Sequence, residues 1–350
     1  MRGPVNFRTQ AFSKISRFDA RTDAIVGSPI HCVSERGSNG PADVIHYALA
    51  GLCVGSEFAL PGAVELPSGA PSRERVVIRR ASVPETLMAA TYRAPDAEWD
   101  GNELLIRIDQ AARYRVTMGG IDVEALEGSD PRDVHAYILG TVFGALCHLR
   151  GIFPLHAAAI QVGDMGIAFA GDSGAGKSTM AAAFAARGHQ VLCDDVSYIR
   201  RSNSGSEIFP GVNRLRLWES AMTGLGISQR DADREFRGFN KFLLPAPAPD
   251  HPDKARGLHA VYELAEARDS EVSVERLQGS DAFEAILGNV YRSQLARQIG
   301  RAKEIFVASA ELARRVPVFR LSRPLDFNRL GEVIDRLSDH FRKLPAEATV

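Results

Sequence analysis

The sequence predicts an α/β protein: a phosphate-loop domain built on a mixed sheet with flanking helices, behind a smaller β-rich N-terminal domain. Three observations carry this. Short alternating segments fill residues 45–130, apolar strands alternate with helices after residue 130, and a G-x-x-x-x-G-K-S pattern lies between a strand and a helix.

Composition sets the outer limits. The 350 residues suffice for two cores, and 45% hydrophobic with 24% charged residues is the balance of a soluble globular chain. Lys plus Arg number 42 against 43 Asp plus Glu, so the basic excess of a general nucleic-acid or membrane-surface binder is missing. The N-terminus MRGPVNFRTQAFSKISRF is basic without an apolar stretch behind it, unlike a secretory signal. No apolar run reaches the ~18 residues of a membrane span. The expectation is a cytoplasmic protein with neither nucleic-acid nor membrane partner. Cys32, Cys53, Cys147 and Cys193 are widely spaced with no CxxC pair, which predicts reduced thiols instead of a disulfide framework or zinc site.

Residues 1–40 mix charge with Gly, Ser and Pro and read as a flexible extension. Residues 41–130 form the small β-rich domain: HYALAGLCVGSEFAL, RERVVIRRASV, ELLIRID, RYRVTM and IDVEAL are strand-like, with Gly, Pro, Asp and Ser at the breaks. At Ser129-Asp130-Pro131 the pattern changes. Asp130 or Ser129 can cap a helix and Pro131 suits its first turn, so DVHAYILGTVFGALCHLRG reads as one long buried helix ending at Gly151. The catalytic domain is placed at 131–350, interrupted by a Pro-rich surface loop at 245–253.

Residues 167–178 read IAFAGDSGAGKS. Gly171, Gly174 and Gly176 let the backbone turn tightly, so that the N–H groups of Gly171, Asp172, Ser173, Gly174, Ala175 and Gly176 can cradle phosphate oxygens. Lys177 brings a point charge to the β- and γ-phosphates, and Ser178 offers a hydroxyl to Mg²⁺. Thr179 continues into a helix whose N-terminal dipole faces the anion. The cofactors expected are therefore ATP and Mg²⁺.

The helix stops at Gly188, a short apolar strand HQVLC follows, and then Asp194-Asp195. The helix leads away from the loop at 1.5 Å per residue, and a parallel strand at about 3.3 Å per residue returns the same distance. A right-handed crossover would set that strand beside the first one, so both acids emerge at the loop's edge of the sheet. One can hold Mg²⁺ with Ser178 while the other accepts the proton of an attacking hydroxyl. HAAAIQV-GDMG-IAFAG reads as a hairpin in which residue i pairs with about 329 − i. His156 then lies opposite about residue 173, either as a buried strand histidine or as a neighbour of the γ-phosphate. His189 and His259 read as structural, and Cys193 as a packed strand residue.

Together, L-H-A at 155–157, GDSGAGKST at 171–179 and RGHQVLCDD at 187–195 resemble the catalytic domain of HPr kinase/phosphorylase and its relatives. The resemblance implies a P-loop kinase domain of the HPr kinase type. Lys177 and Ser178 would serve phosphate and Mg²⁺, Asp194 would be a metal ligand, Asp195 the base, and His156 would sit by the transferred phosphate. The chain departs from the HPr kinases themselves, whose N-terminal domain is larger. Its E-x-R-G, at residues 235–238, also falls too far downstream of the acids. YALAGLCVGSEFALPG at 47–62, PGVNRLRLW at 210–218 and RRVPVFRLSRP at 314–324 are similar to the HPr-kinase-like kinases of ribosomal and lasso-peptide precursors. Those enzymes phosphorylate a serine near the precursor's C-terminus, which implies a peptide or small-protein substrate here. HPr-kinase relatives are also often homo-oligomers.

Arg214, Arg216 and Lys241 are candidates for a phosphate clamp or substrate contact. A small-molecule kinase, an HPr-like protein kinase and a non-catalytic nucleotide sensor are the alternatives. The Asp pair argues against the sensor. Asn240-Lys241 is followed by Phe242-Leu243 and so lacks the acid of a guanine-reading N-K-x-D.

Overall fold

The structure, a computed structural model, describes residues 44–67, 74–203, 205–228, 233–234, 240–251, 253–267 and 271–345. The expected extension over 1–40, Cys32 and the element at 235–238 lie outside the described residues.

Nine strands come first: β1 (Ile45–Leu49), β2 (Leu52–Ser56), β3 (Val64–Glu65), β4 (Arg75–Arg80), β5 (Tyr92–Arg93), β6 (Ala97–Trp99), β7 (Leu104–Ile108), β8 (Ala112–Thr117) and β9 (Gly120–Ala125). They form one sheet in the order β3-β1-β2-β4-β9-β8-β7-β6-β5. The apolar stretch that begins at His46 is a hairpin, because Ala50 and Gly51 adopt φ +55° and +75° and make its two-residue turn. Two of the motif residues there serve the fold. Ser56 Oγ accepts the Phe58 N–H at 3.0 Å, and Tyr47 Oη accepts the Leu60 N–H at 3.3 Å.

The inner face of this sheet, with Tyr114, Val116 and Val123, packs on Val134, Ile138, Phe143 and Leu146. Those four belong to the expected helix after Pro131. Asp130 does cap it, accepting the Arg132 N–H at 2.9 Å. It is not one regular helix, however. Pro131–Tyr137 and Phe143–Leu149 are joined by a π-helical segment, Ile138–Val142, that kinks at Gly140.

The second sheet contains β10 (Phe153–Leu155), β11 (Ala157–Val162), β12 (Met165–Ala170), β13 (Gln190–Cys193), β14 (Ser197–Ser202) and β15 (Gly205–Phe209). A small sheet of β16 (Arg214–Trp218), β17 (Asp233–Arg234) and β18 (Lys241–Pro245) follows, and then β19 (Arg256–Glu266), β20 (Ser273–Leu277) and β21 (Val318–Arg323) rejoin the large one. The order is β10-β14-β15-β19-β12-β11-β13, with β21 alongside the C-terminal half of β19 and β20 beyond it. The sheet is mixed, and both faces are covered. Phe169, Tyr262 and Leu321 pack on helices Lys177–Ala185 and Leu330–Phe341. Ala168, Leu192 and Val261 pack towards helices Gly279–Gly288 and Ala302–Arg315. Burial on both faces is why β11, β12 and β13 read as unbroken apolar runs.

Two expectations are corrected here. The hairpin turn is the two residues Gly163-Asp164, and Ala157 pairs with Ala170, so pairs sum to 327 and the register runs His156 towards Gly171, not residue 173. Also, β13 does not lie beside β12. It pairs antiparallel with β11, which occupies the middle position. The short turn makes β11 and β12 nearest neighbours, and β19 takes the other edge of β12, so the free position for β13 is the far side of β11. Because β11 runs opposite to both, its start lies at the edge where β12 and β13 end. His156 therefore enters the same edge as the phosphate loop and the two aspartates.

Among the described residues no helix is long and apolar enough to cross a membrane.

Candidate functional site

The loop after β12 is shaped by its glycines. Gly174 and Gly176 adopt φ +89° and +88°, a region that residues with a Cβ enter only with strain. Helix Lys177–Ala185 starts directly after Gly176. Lys177 is buried and folds back over the loop, its Nζ donating to the carbonyls of Gly171 at 2.7 Å and Asp172 at 3.0 Å. Burial lowers its pKa, with Asp195 and Asp194 opposing that shift.

Beside the loop, Ser178 Oγ donates to Asp194 Oδ1 at 2.8 Å. The same oxygen accepts the Asp195 N–H at 3.0 Å, and Asp194 Oδ2 accepts the Arg216 N–H at 2.6 Å. Burial holds the Asp194 carboxyl above its usual range, against the opposing pull of those N–H and O–H donors. Asp195 is at φ +72°, a left-handed conformation costing on the order of 1–2 kcal/mol for a residue with a Cβ. The turn aims its carboxylate away from Asp194 into a cleft. There Oδ2 pairs with Arg216 Nη1, and Oδ1 lies 3.9 Å from His156 Nδ1. Burial would raise the Asp195 pKa, but the Arg216 guanidinium, His156, Lys241 and Lys177 outweigh it and keep the group below the ordinary carboxylate range. For His156, burial and the Lys177 charge bring the pKa down to about 4, so the ring is neutral at physiological pH.

The cleft has a volume of about 230 Å³. Ser173, Gly174, Gly176, Lys177, Ser178 and Thr179 line its floor, and Asp195 and His156 stand at it. Arg216 and Lys241 come from the small sheet, where Lys241 pairs in register with Trp218 and sets its Nζ 5.6 Å from that ring's centroid. Leu325 and Phe327, from the segment after β21, line it as well. The remaining candidates do not line it. Gly171, Asp172 and Ala175 contribute backbone carbonyls to buried cations, and Asp194 sits beneath Asp195. Arg214 lies at the start of β16, its aliphatic stem against Gly62 of the N-terminal region. Cys193 is buried, bonded to Ser197 Oγ at 3.1 Å, with its thiol pushed up to about 12, which fits a packed strand residue.

Three residues that the sequence did not single out support the site. Asn289 Oδ1 accepts the Gly171 N–H at 2.8 Å, while its carbonyl accepts the His156 N–H at 2.7 Å. One residue thus ties the loop to the histidine. Tyr291 stacks on His156 with ring centroids 5.8 Å apart and planes at 15°. This tyrosine also rests on the kinked helix, where a Cβ on Gly144 would come within 2.9 Å of the ring. Arg323, at the end of β21, donates from Nη2 to the Ala175 carbonyl at 2.6 Å. Asn289 and Tyr291 carry no local signature, and Arg323 lies inside RRVPVFRLSRP without being distinguishable there from its neighbours.

No family model matches the chain. Over 73 residues, 21% of its length, the chain is 38% identical to the HPr kinase/phosphorylase of Treponema pallidum subsp. pallidum, and equally to that of the Nichols strain of Treponema pallidum. The chain spans 23% of the length of these curated relatives. Among solved structures, the Hpr(Ser) kinase/phosphatase from Coxiella burnetii aligns at 15% identity with a TM-score of 0.29, over 54% of this chain and 91% of that one. In sequence, the chain is HPr-kinase-like along the matched stretch.

Proposed function

We propose that this protein is an ATP-dependent serine kinase that transfers the γ-phosphoryl group of MgATP to a hydroxyl of a peptide or small protein. The observation that carries the reading is the meeting of Lys177, Ser178, Asp194, Asp195 and His156 at one sheet edge. Nucleotide binding alone needs the loop, whereas a second, ionised carboxylate opening into the same cleft is what phosphoryl transfer to a hydroxyl uses.

In this reading the loop N–H groups and Lys177 hold the phosphates, Lys177 moving from the Gly171 and Asp172 carbonyls to the anion. Asp195 orients the acceptor hydroxyl and takes its proton. A proton-accepting carboxylate held at low pKa is a weak base, which suits a loose transition state that asks more for positioning than for basicity. Arg216, now paired with Asp195, is within reach of the charge that builds on the transferring group. Its move to that group would leave Asp195 a stronger base. His156, neutral and clamped by Tyr291, borders the γ end as a hydrogen-bonding group. Trp218, Leu325 and Phe327 are 44%, 54% and 38% exposed and give the cleft an apolar wall for the base.

Ser178 Oγ and Asp194 Oδ1 are hard oxygen donors side by side, the pair that Mg²⁺ takes with phosphate oxygens and water. Among the described residues no group of three or more His, Cys, Asp or Glu could hold a metal alone, which fits a cation shared with the nucleotide. Bound there, the cation would offset phosphate charge and keep the buried Asp194 ionised.

The finer reading, that the acceptor is a ribosomally made precursor peptide of the lasso type, rests on the resemblances at 47–62, 210–218 and 314–324. Incubating the protein with labelled ATP and peptides encoded by adjacent genes, followed by mass spectrometry, tests it. A labelled serine in a short peptide is the expected product. Label on a folded carrier protein would replace the peptide reading with the HPr-like one, and label on a metabolite with a small-molecule kinase. Tight ATP binding with no transfer to any acceptor would overturn the kinase in favour of a sensor.

A further inference from the structure

Among the described residues Arg323 is the one arginine that is buried, at 5% exposure. It has no carboxylate partner there, and burial alone acts on its ionisation, with no charged neighbour in opposition. Its Nε is enclosed and makes no hydrogen bond. Of the other described arginines with an enclosed Nε, Arg113, Arg150, Arg200, Arg216 and Arg301 each carry an ion pair, and Arg315 is only half-buried. A guanidinium stays charged in proteins, and burying a charge without a counter-ion is costly, so the position calls for an anion.

The location says which anion. Arg323 lines the same cleft as Lys177, Ser178 and Thr179. It braces the end of the phosphate loop at the Ala175 carbonyl, as Lys177 braces its beginning at Gly171 and Asp172. Any Cβ on Gly176 would run into its Nη2, so that glycine serves the arginine as well as the turn.

We infer that Arg323 is a second buried cation of the nucleotide site, one that binds the phosphate chain at the helix end of the loop while Lys177 serves the other end. This rests on the nucleotide-binding part of the proposed function, and extends it to a residue 146 positions downstream of Lys177 that completes the site from another strand.

The test is calorimetric titration of wild type, Arg323→Met and Arg323→Lys with MgATP and MgADP, alongside nucleotide-free melting curves. Arg323→Met should bind both nucleotides about 10- to 100-fold more weakly, as loss of a charge-assisted contact predicts. It should melt at or above wild type without nucleotide, because an unpaired buried charge is gone. Arg323→Lys should recover part of the affinity and covers the case in which the Met variant does not fold. If Arg323 only braces Ala175, the Met variant would melt lower while its folded fraction, or the Lys variant, binds both nucleotides as wild type does. That result overturns the inference. Wild type failing to bind either nucleotide would instead overturn the functional proposal beneath it.

Discussion

Replacing Asp195 with asparagine keeps the shape of the side chain and one acceptor oxygen, and removes one charge. The Asp195 and Arg216 side chains are 18% and 23% exposed, so their ion pair is partly shielded from water. Two unit charges about 4 Å apart at an effective dielectric of about 20 attract by about 4 kcal/mol, of which a retained neutral hydrogen bond recovers about 1 kcal/mol. The nucleotide-free variant should therefore lose about 2–3 kcal/mol and melt roughly 4–12 °C lower for a unit of this size. The phosphates would supply Arg216 with the missing anion, so MgATP should bind at least as tightly as to wild type and restore much of the lost melting temperature. Transfer should fall by about 10²–10⁴-fold, the contribution of a positioned base. Melting curves with and without MgATP, calorimetric titration, and single-turnover transfer to the acceptor found by labelling measure these three quantities. Transfer within tenfold of wild type, with the protein folded, would refute the assignment of Asp195 as base.

Three further outcomes follow from neighbouring contacts. Asn289→Asp can still accept the Gly171 N–H whereas Asn289→Ala cannot, so the Ala variant should lose about 1–3 kcal/mol of ATP affinity or stability and the Asp variant less. Equal losses in titration and melting would show that the bond to Gly171 is idle. Gly144→Ala places a methyl against the Tyr291 ring and should cost about 1–3 kcal/mol by overpacking, with the His156 imidazole resonances shifted in an NMR spectrum as its stacking partner moves. Unchanged resonances would rule out the link. The His156 pKa is below its unfolded value of about 6.5, so its contribution to stability is complete above pH 6.5 and is lost as pH falls towards about 4. His135, His148, His189 and His340, also lowered by burial, act in the same direction. His156→Gln should thus flatten, without abolishing, the fall in melting temperature over that window. An identical slope would mean that His156 is not held neutral by the fold.

The turn of the phosphate loop, the return of Asp194 and Asp195 to its edge and the capped helix after Asp130 were legible in the sequence, because each is made within a short stretch of chain. Gly176 signals a left-handed backbone, Lys177 and Ser178 follow at fixed offsets, and the helix and strand lengths suffice to return Asp194 to the loop. Even the incorrect step, setting β13 beside β12, left the acids at the right edge, since β13 runs parallel to β12 wherever it is inserted. Strand neighbours were not legible. β11, β12 and β13 are all short and apolar on both faces, so no alternation of side chains distinguishes one pairing from another. The site's outer support was decided in three dimensions. Asn289 and Tyr291 reach His156 from beyond a helix more than a hundred residues later, and Arg323 reaches Ala175 from the last strand of the sheet. Local spacing encodes groups that act through their own backbone turn. Groups that act through burial depend on which distant surfaces close over them, and only the packed chain determines that.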